Sequence, residues 1–555
     1  MPMDRAKTLG SGRGPVQNLR LFGAAQDGNV TVFGMMLFML MLTMGGLAVD
    51  LMRYETTRTT LQNTLDRATL AAASLTQELD GEEVVNDYFA KAGMTEYLKG
   101  VTVTEGLNFR EVEADASAET NPFFTHLIGI EEMDAFGHST AEQRVTNVEI
   151  ALVLDVSGSM DGTKLANLKT AAINFVDTVL SSDGENRISI ALVPYNGQVN
   201  LGAPLRASFN DLYAHGVANV NCIELPSAAF DTLGISVTAP LPVSSYADWS
   251  SSTNKTTSYV AFNDNSYGKP ITTDDYDGPV CRPRPGNIVR LPDNNITELT
   301  LQINGLTATN YTSIMSGMKW GVAMLDPVMQ PTFDTLAAAG EMPTEFDDRP
   351  YAWDDPESLK LIVLMTDGEN TTHTVVTDAF KGGPSPIWKA TSDGRYSIRH
   401  QTGRPTIAGA NEYYVPHLGT WSATPFPSTA GAVQQDWTQV WAFTRQSWVA
   451  WQLYARALGT SNSSRNTMYN NTMNAMQDAS VSSSTMNTQL QKACTQAKDK
   501  GVIVYGIAFE APSGGQTQIK NCASSAAHYY NATGLQISSA FRSIANNISQ
   551  LRLTQ

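Results

Sequence analysis

The strongest pattern along the chain is an unbroken apolar stretch from Val30 to Val49 (VTVFGMMLFMLMLTMGGLAV), twenty positions without a charge. As a helix rising about 1.5 Å per residue it reaches roughly 30 Å, the thickness of a hydrocarbon core. Met, Leu and Phe cover every side of it, which suits lipid better than the one-sided burial of a soluble helix. Arg5, Lys7, Arg13 and Arg20 precede it and the long part of the chain follows, so the positive-inside bias predicts a cytoplasmic N-terminus and an exported remainder. A cleaved signal peptide would present small residues directly after the apolar run. Here the helical pattern continues instead, and the segment is read as a retained anchor.

Beyond Asp50 the helix is expected to run on to about residue 79. Leu61, Leu65, Ala68, Ala72, Leu75 and Leu79 recur in steps of three and four, while Gln62, Asp66, Arg67 and Glu78 fill the other faces. That apolar stripe needs a surface, either the small segment that follows or a second protein. Residues 80–145 contain alternating pieces such as VTVTEGLNF and REVEADASAE, which predict a small β-containing module.

From residue 146 the pattern turns to strand and helix units. Val148–Leu154 reads as a buried strand, and Leu165, Leu168, Ala172, Phe175 and Val179 mark one face of the next helix. Further strands are expected at Arg187–Val193, Lys360–Met365 and Gly501–Phe509. Helices are expected at Thr312–Leu325, Thr438–Leu458 and Thr485–Lys498, with a last one at Leu535–Leu551 lined by Ile537, Phe541, Ile544, Ile548 and Leu551. Near-continuous apolar strands separated by helices predict an α/β fold with a mostly parallel open sheet flanked by helices. Two polar, Gly- and Pro-punctuated stretches, about 196–297 and 371–431, read as insertions. Trp437, Trp441, Trp448 and Trp451 have a spacing that favours helix packing over an exposed aromatic stripe. The organisation is thus a tail (1–29), a transmembrane helix (30–49), a stalk (50–79), a β-containing module (80–145) and an α/β domain (146–551).

Composition narrows the function. With 37 basic against 54 acidic residues the net charge is −17, which argues against nucleic acid as a partner, since such binders cluster Lys and Arg to displace counterions.

Candidate chemistry starts where the first apolar strand ends, at Asp155-Val156-Ser157-Gly158-Ser159. A carboxylate followed at two-residue steps by two hydroxyls, on a turn into a helix, can aim three oxygens at one cation. Oxygen donors suit Mg²⁺, a hard ion that keeps some of its waters, and open α/β sheets collect functional groups at strand C-termini. Thr312 precedes another expected helix, and Asp367 follows the strand KLIVLM through Thr366. Each has an ordinary alternative: a helix cap for Asp155, Ser157, Ser159 or Thr312, and an Asp-Gly turn for Asp367. Their joint placement at three strand-to-helix junctions is what points to an ion. Asp161, one turn further on, is read as solvated or as an outer group.

These five residues, Asp155, Ser157, Ser159, Thr312 and Asp367, resemble the metal-ion-dependent adhesion site of von Willebrand factor type A domains. The resemblance implies bound Mg²⁺, with Mn²⁺ or Ca²⁺ as substitutes, and an open coordination position for a carboxylate of a protein ligand. Asp367 would act directly or through water. A second resemblance rests on Gly45-Gly46-Leu47-Ala48-Val49-Asp50, Leu61-Gln62-Asn63 and Asp66–Ala73 after a basic lead, and further on Cys494–Lys498, GVIVYGIAF, Asn521–Ser524 and Tyr529-Tyr530. These are similar to TadG-like proteins of Flp pilus (tight-adherence) assembly, over roughly 27–79 and, discontinuously, 146–551. That family implies a single-pass inner-membrane protein with its main domain in the periplasm, partners in pilus, secretion or surface machinery, and an assembly role. Release, surface exposure and oligomeric state stay open.

Cys222, Cys281, Cys494 and Cys522 all follow the expected crossing, where an oxidising compartment favours disulfides. Cys222 with Cys281 and Cys494 with Cys522 is the favoured pairing of the three that four cysteines allow. A zinc site is disfavoured: the cysteines lack short Cys-x-x-Cys arms, and His215, His373, His400 and His528 supply no ligand spacing. An Mg²⁺-dependent hydrolase would need a base beside the site, and His373, six residues past Asp367, is the nearest in sequence. The expectation is a binding protein and not an enzyme, with a structural anchor whose metal site is secondary as the alternative.

Overall fold

The computed structural model describes residues 29–74, 77, 79–105, 109–144, 147–181, 183, 186–247, 255–261 and 279–549. The basic lead, Leu75, Glu78 and Leu551 lie outside the described residues. The chain divides into two compact units, Met1–Arg144 and Val145–Gln555.

The first unit is built on one long helix, α1 (Asn29–Ala72). Its apolar half stands free, with Phe33, Met36 and Met39 each more than half exposed, and by length and composition it could cross a membrane. Its second half buries the expected stripe: Leu61, Leu65, Ala68 and Ala72 have no solvent exposure. They meet helix α2 (Gly81–Lys91) and an antiparallel sheet of β1 (Leu98–Glu105), β2 (Phe109–Thr120) and β3 (Met133–Arg144). Val112, Ala114, Ala116 and Ala118 alternate inward along β2, and their small side chains let the helix lie close. At Gly137 a Cβ would come within 2.6 Å of Leu65 Cδ1, so the helix packs on bare backbone there. These four positions of the stripe are therefore covered within their own unit, whereas Leu79 is not. The helix ends at Ala72 and not near 79: Asp80 caps the next helix through the Glu82 and Glu83 backbone N–H groups, and Leu79 is 59% exposed.

The second unit holds a six-stranded sheet of β4 (Asn147–Asp155), β5 (Ile188–Tyr195), β6 (Arg290–Asp293), β7 (Ser358–Thr366), β8 (Ile503–Phe509) and β9 (Tyr529–Ala532). Their spatial order is β9-β8-β7-β4-β5-β6. All neighbours pair parallel except β5 with β6. The central strands are apolar throughout because both faces are covered. On one face Ala151, Val153, Ile362, Leu364 and Val504 join a core with helices α4 (Ile314–Ala323), α5 (Ser483–Lys498) and α6 (Ser513–Cys522). The alternate residues Ile150, Leu152 and Leu154 lie outside that core and are equally buried. So are Leu168 and Phe175 of α3 (Thr163–Leu180), whose Phe175 ring meets Phe541 of α7 (Gln536–Ser549) edge-on at 5.8 Å.

Three expectations need correction. Residues 290–293 lie within the stretch read as the first insertion, yet they form β6, an edge strand too short and polar to show a period. The second insertion builds its own antiparallel sheet from strands at Pro384–Ala390, Tyr396–Arg399, Tyr413–Val415, Thr420–Ser422 and Ala432–Asp436, so it runs past 431. The helix expected over 438–458 is broken into Trp437–Phe443, Gln446–Trp448, a π-helical turn at Val449–Ala455 and Arg456–Leu458. It forms a core with that inserted sheet, where Trp437, Trp441 and Trp448 are buried; Trp451 is buried in an adjoining cluster.

Both disulfides match the favoured pairing. Cys222–Cys281 closes the first insertion, and Cys494–Cys522 joins α5 to α6.

Candidate metal centre

Three loops meet beside the C-terminal edge of the sheet: the first and third follow β4 and β7, whereas the second, expected at a strand-to-helix junction, instead joins the helix Ile296–Gly305 to α4. Hydrogen bonds tie the three together. Gly158 N donates to Asn310 O (2.8 Å) and Thr309 N to Val156 O (2.8 Å), which joins the first loop to the second. Thr371 N donates to Thr312 O (2.9 Å), and Asn370 Oδ1 accepts from Ile314 N (2.7 Å) at the start of α4. These bonds join the second loop to the third. Asn310 holds a left-handed backbone (φ 68°), a conformation asparagine tolerates better than most residues, and its Nδ2 donates to Pro279 O and Val280 O in the first insertion. From the other side α6 abuts the third loop so closely that a Cβ on Gly515 would stand 2.0 Å from Gly368 O.

On this frame the side chains form one hydrogen-bonded series. Asp155, fully buried at the end of β4, accepts Ser157 N at Oδ1 (2.8 Å) and Thr366 Oγ1 at Oδ2 (2.7 Å). Ser157 Oγ lies 3.1 Å from Ser159 Oγ. Ser159 Oγ donates to Asp367 Oδ1 (2.6 Å), and Lys164 Nζ donates to Asp367 Oδ2 (2.8 Å). Thr312 completes the group: the position a Cβ on Gly368 would take is 3.3 Å from Thr312 Oγ1 and 3.7 Å from Ser159 Oγ. The structure thus brings Asp155, Ser157, Ser159, Thr312 and Asp367 together. Asp161 is exposed and outside the series.

The donor set is two buried carboxylates and three hydroxyls, all oxygen, faced among the described residues by the Lys164 ammonium; a hard divalent cation fits both its chemistry and its charge. Crowding of charge already shows in Asp155. Burial, and after it the negative charge of Asp367, raises its carboxyl to about 7, against the hydrogen bonds from Thr366 and Ser157. His373 sits apart from the series. Its ring stacks on Tyr311, its Nδ1 is 3.3 Å from Thr371 O, and burial lowers its pKa.

Sequence reasoning missed Lys164, Thr366 and Asn370. Thr366 directly precedes Asp367, and Lys164 follows the left-handed Gly162 (φ 79°) that starts α3. Those positions were the available signal, but nothing in the spacing says which way either side chain turns. On the first unit Glu113, Asp115 and His138 also bring ligand-type atoms within 4.8 Å, all exposed on the outer face of the small sheet.

Residues 28–75 match the family described as "Putative Flp pilus-assembly TadE/G-like"; over that stretch the chain resembles a pilus-assembly family. No curated protein matches the chain. Similar solved structures include the vWF domain of the type V pili tip protein Mfa5 from Porphyromonas gingivalis, at 14% identity and TM-score 0.30, covering 73% of this chain and 96% of that one. The PilB minor pilin from Streptococcus sanguinis is similar at 10% identity and TM-score 0.29, covering 82% of this chain and 78% of that one. The pilus adhesin SpaC from Lactobacillus rhamnosus GG gives 10% and 0.27, with 81% of this chain matched to 33% of that one.

Proposed function

We propose that the chain is a membrane-anchored binding component of a pilus-assembly system, and that its second unit is a von Willebrand factor type A-like domain binding a partner through a divalent cation. The observation that carries this reading is the convergence of Asp155, Ser157, Ser159, Thr312 and Asp367 from three loops, two at strand ends and one between helices. The pilus context is supported by the match at residues 28–75, and the anchor by the exposed apolar half of α1.

Asp155 and Asp367 would supply the negative charge that holds Mg²⁺, or Mn²⁺ or Ca²⁺ in its place, while Ser157, Ser159 and Thr312 add neutral oxygens. When bound, such an ion offers an electrophilic position to an acidic side chain of the partner. Thr366 fixes one oxygen of Asp155 and Ser157 N the other, so the carboxylate is oriented before any ion arrives. The insertions would add selectivity by shape. A binding role is favoured over hydrolysis because His373 is engaged with Tyr311 and is not bonded into the series.

A photo-crosslinker at the exposed Asp161, in intact cells, tests this. The expected result is a partner adduct that is lost on chelation of divalent cations and lost in Asp155→Ala, with membrane insertion retained. Equal capture by wild type and mutant in excess chelator would overturn it. That outcome favours a structural anchor, a reading supported by the way Lys164 and the Ser159 hydroxyl already satisfy Asp367.

A further inference from the structure

The first unit carries a second apolar feature beside the anchor. Asn121–Ile130 reads NPFFTHLIGI, without Lys, Arg, Asp or Glu, and charge resumes at Glu131 and Glu132. Phe123 is 69% exposed, Ile128 64% and Ile130 41%. Isolated exposed apolar side chains are ordinary, but three in eight residues next to a bare apolar helix form a continuous surface.

The loop is fixed to that helix at a defined height. Asp50, buried on α1, accepts the backbone N–H groups of Phe123 (3.0 Å), Phe124 (2.7 Å) and Thr125 (2.8 Å), and the Thr125 hydroxyl (3.3 Å). A carboxylate with that many donors has no reason to let the loop go. One turn toward the N-terminus, Phe124 lies against Gly46, where a Cβ would come within 2.3 Å of its ring. Arg53, one turn the other way, stacks its guanidinium over the Phe123 ring at 4.2 Å.

Gly46 is inside the uncharged span and Asp50 is its boundary. Four residues make about 6 Å along a helix, and side chains seated at a membrane surface reach roughly 5–10 Å into the headgroup and acyl boundary. Phenylalanine and aliphatic side chains on the buried side, with a basic residue toward water, are the composition that seats in that layer.

We propose that residues 123–130 form an interfacial foot, seated in the surface of the bilayer that α1 crosses and held at that depth by Asp50. The occupant of this apolar surface is lipid. This rests on reading α1 as a membrane anchor, and the test separates the two ideas.

Full-length protein, its native cysteines disulfide-bonded, is reconstituted in phosphatidylcholine vesicles with an environment-sensitive NBD label on one added cysteine: Ile128→Cys, Met39→Cys within the apolar helix, or Thr102→Cys on the exposed sheet. Spin-labelled lipids then quench by depth. The expected result is blue-shifted emission at position 128 with loss of intensity to shallow spin labels, quenching at 39, and neither effect at 102. Quenching at 39 with a water-like, unquenched signal at 128 overturns the foot and leaves the anchor standing. An unquenched 39 overturns the anchor itself. A blue-shifted but unquenched 128 means protein covers the loop, and also overturns the proposal. Asp50→Ala is expected to abolish the signal at 128 and spare that at 39; an unchanged signal at 128 would contradict positioning by Asp50.

Discussion

Lys164 Nζ lies 2.8 Å from Asp367 Oδ2, on a carboxylate whose other oxygen already accepts the Ser159 hydroxyl. The ammonium is about a quarter exposed while the Asp367 side chain is closed off from solvent. A divalent cation entering the pocket therefore competes with a cation the chain supplies itself. Lys164→Met is expected to tighten Mg²⁺ binding about tenfold, equivalent to about 1.4 kcal/mol. Titration calorimetry on wild type and mutant checks this; equal or weaker binding by the mutant goes against it.

The same pocket predicts a pH dependence. The folded Asp155 carboxyl titrates near about 7 against an ordinary 3.8, so the folded chain holds that proton more tightly than the unfolded one. Its contribution to stability is complete below the ordinary value and is lost as pH climbs through the folded value. Without divalent ions, Tm should fall between about pH 4 and pH 7. Added Mg²⁺ should raise Tm more at the higher pH, where the carboxylate is ionised and free to hold it. A Mg²⁺ effect that is flat with pH would count against Asp155 as a ligand.

Unit 1 depends on a narrow contact between α1 and its sheet. Leu65 has no exposure and meets the bare backbone at Gly137. Leu65→Ala should destabilise the unit by about 2–5 kcal/mol, read as accelerated amide exchange in β2. Exchange at the wild-type rate would mean the stripe is not what holds the helix down.

The Cys494–Cys522 bridge closes a 28-residue separation across α5 and α6. Replacing both cysteines with serine should cost about 3.5 kcal/mol by loop entropy, measured by urea unfolding. A loss below about 1 kcal/mol would show that the α5–α6 packing needs no covalent support.

How far this architecture could be read from sequence follows burial. Val148–Leu154 and Lys360–Met365 were legible because central parallel strands are covered on both faces and read as apolar runs. Arg290–Asp293 and Tyr529–Ala532 were not: they are four-residue edge strands whose pairing is a tertiary outcome. The stretch over 438–458 reads as one helix because its apolar residues fall on every side, and that same all-round burial hides the π-helical turn. In the site, Asp155, Ser157, Ser159 and Asp367 could be found because strand ends fix where they stand, and Thr312 because it directly precedes the apolar helix α4. Lys164 could not, since a long side chain's direction depends on what it meets. Asp50 looked like the end of an anchor and nothing more, because its partners lie more than seventy residues away.

The central claim is that three converging loops of the second unit hold one divalent cation. The most direct measurement is a Mn²⁺ titration of the full-length protein in detergent, with free Mn²⁺ followed by electron paramagnetic resonance, on wild type and Asp155→Ala. Saturable binding at one site, displaced by Mg²⁺ and absent from the mutant, is predicted. Wild-type protein that leaves Mn²⁺ free, or a mutant that binds it as wild type does, would contradict the claim.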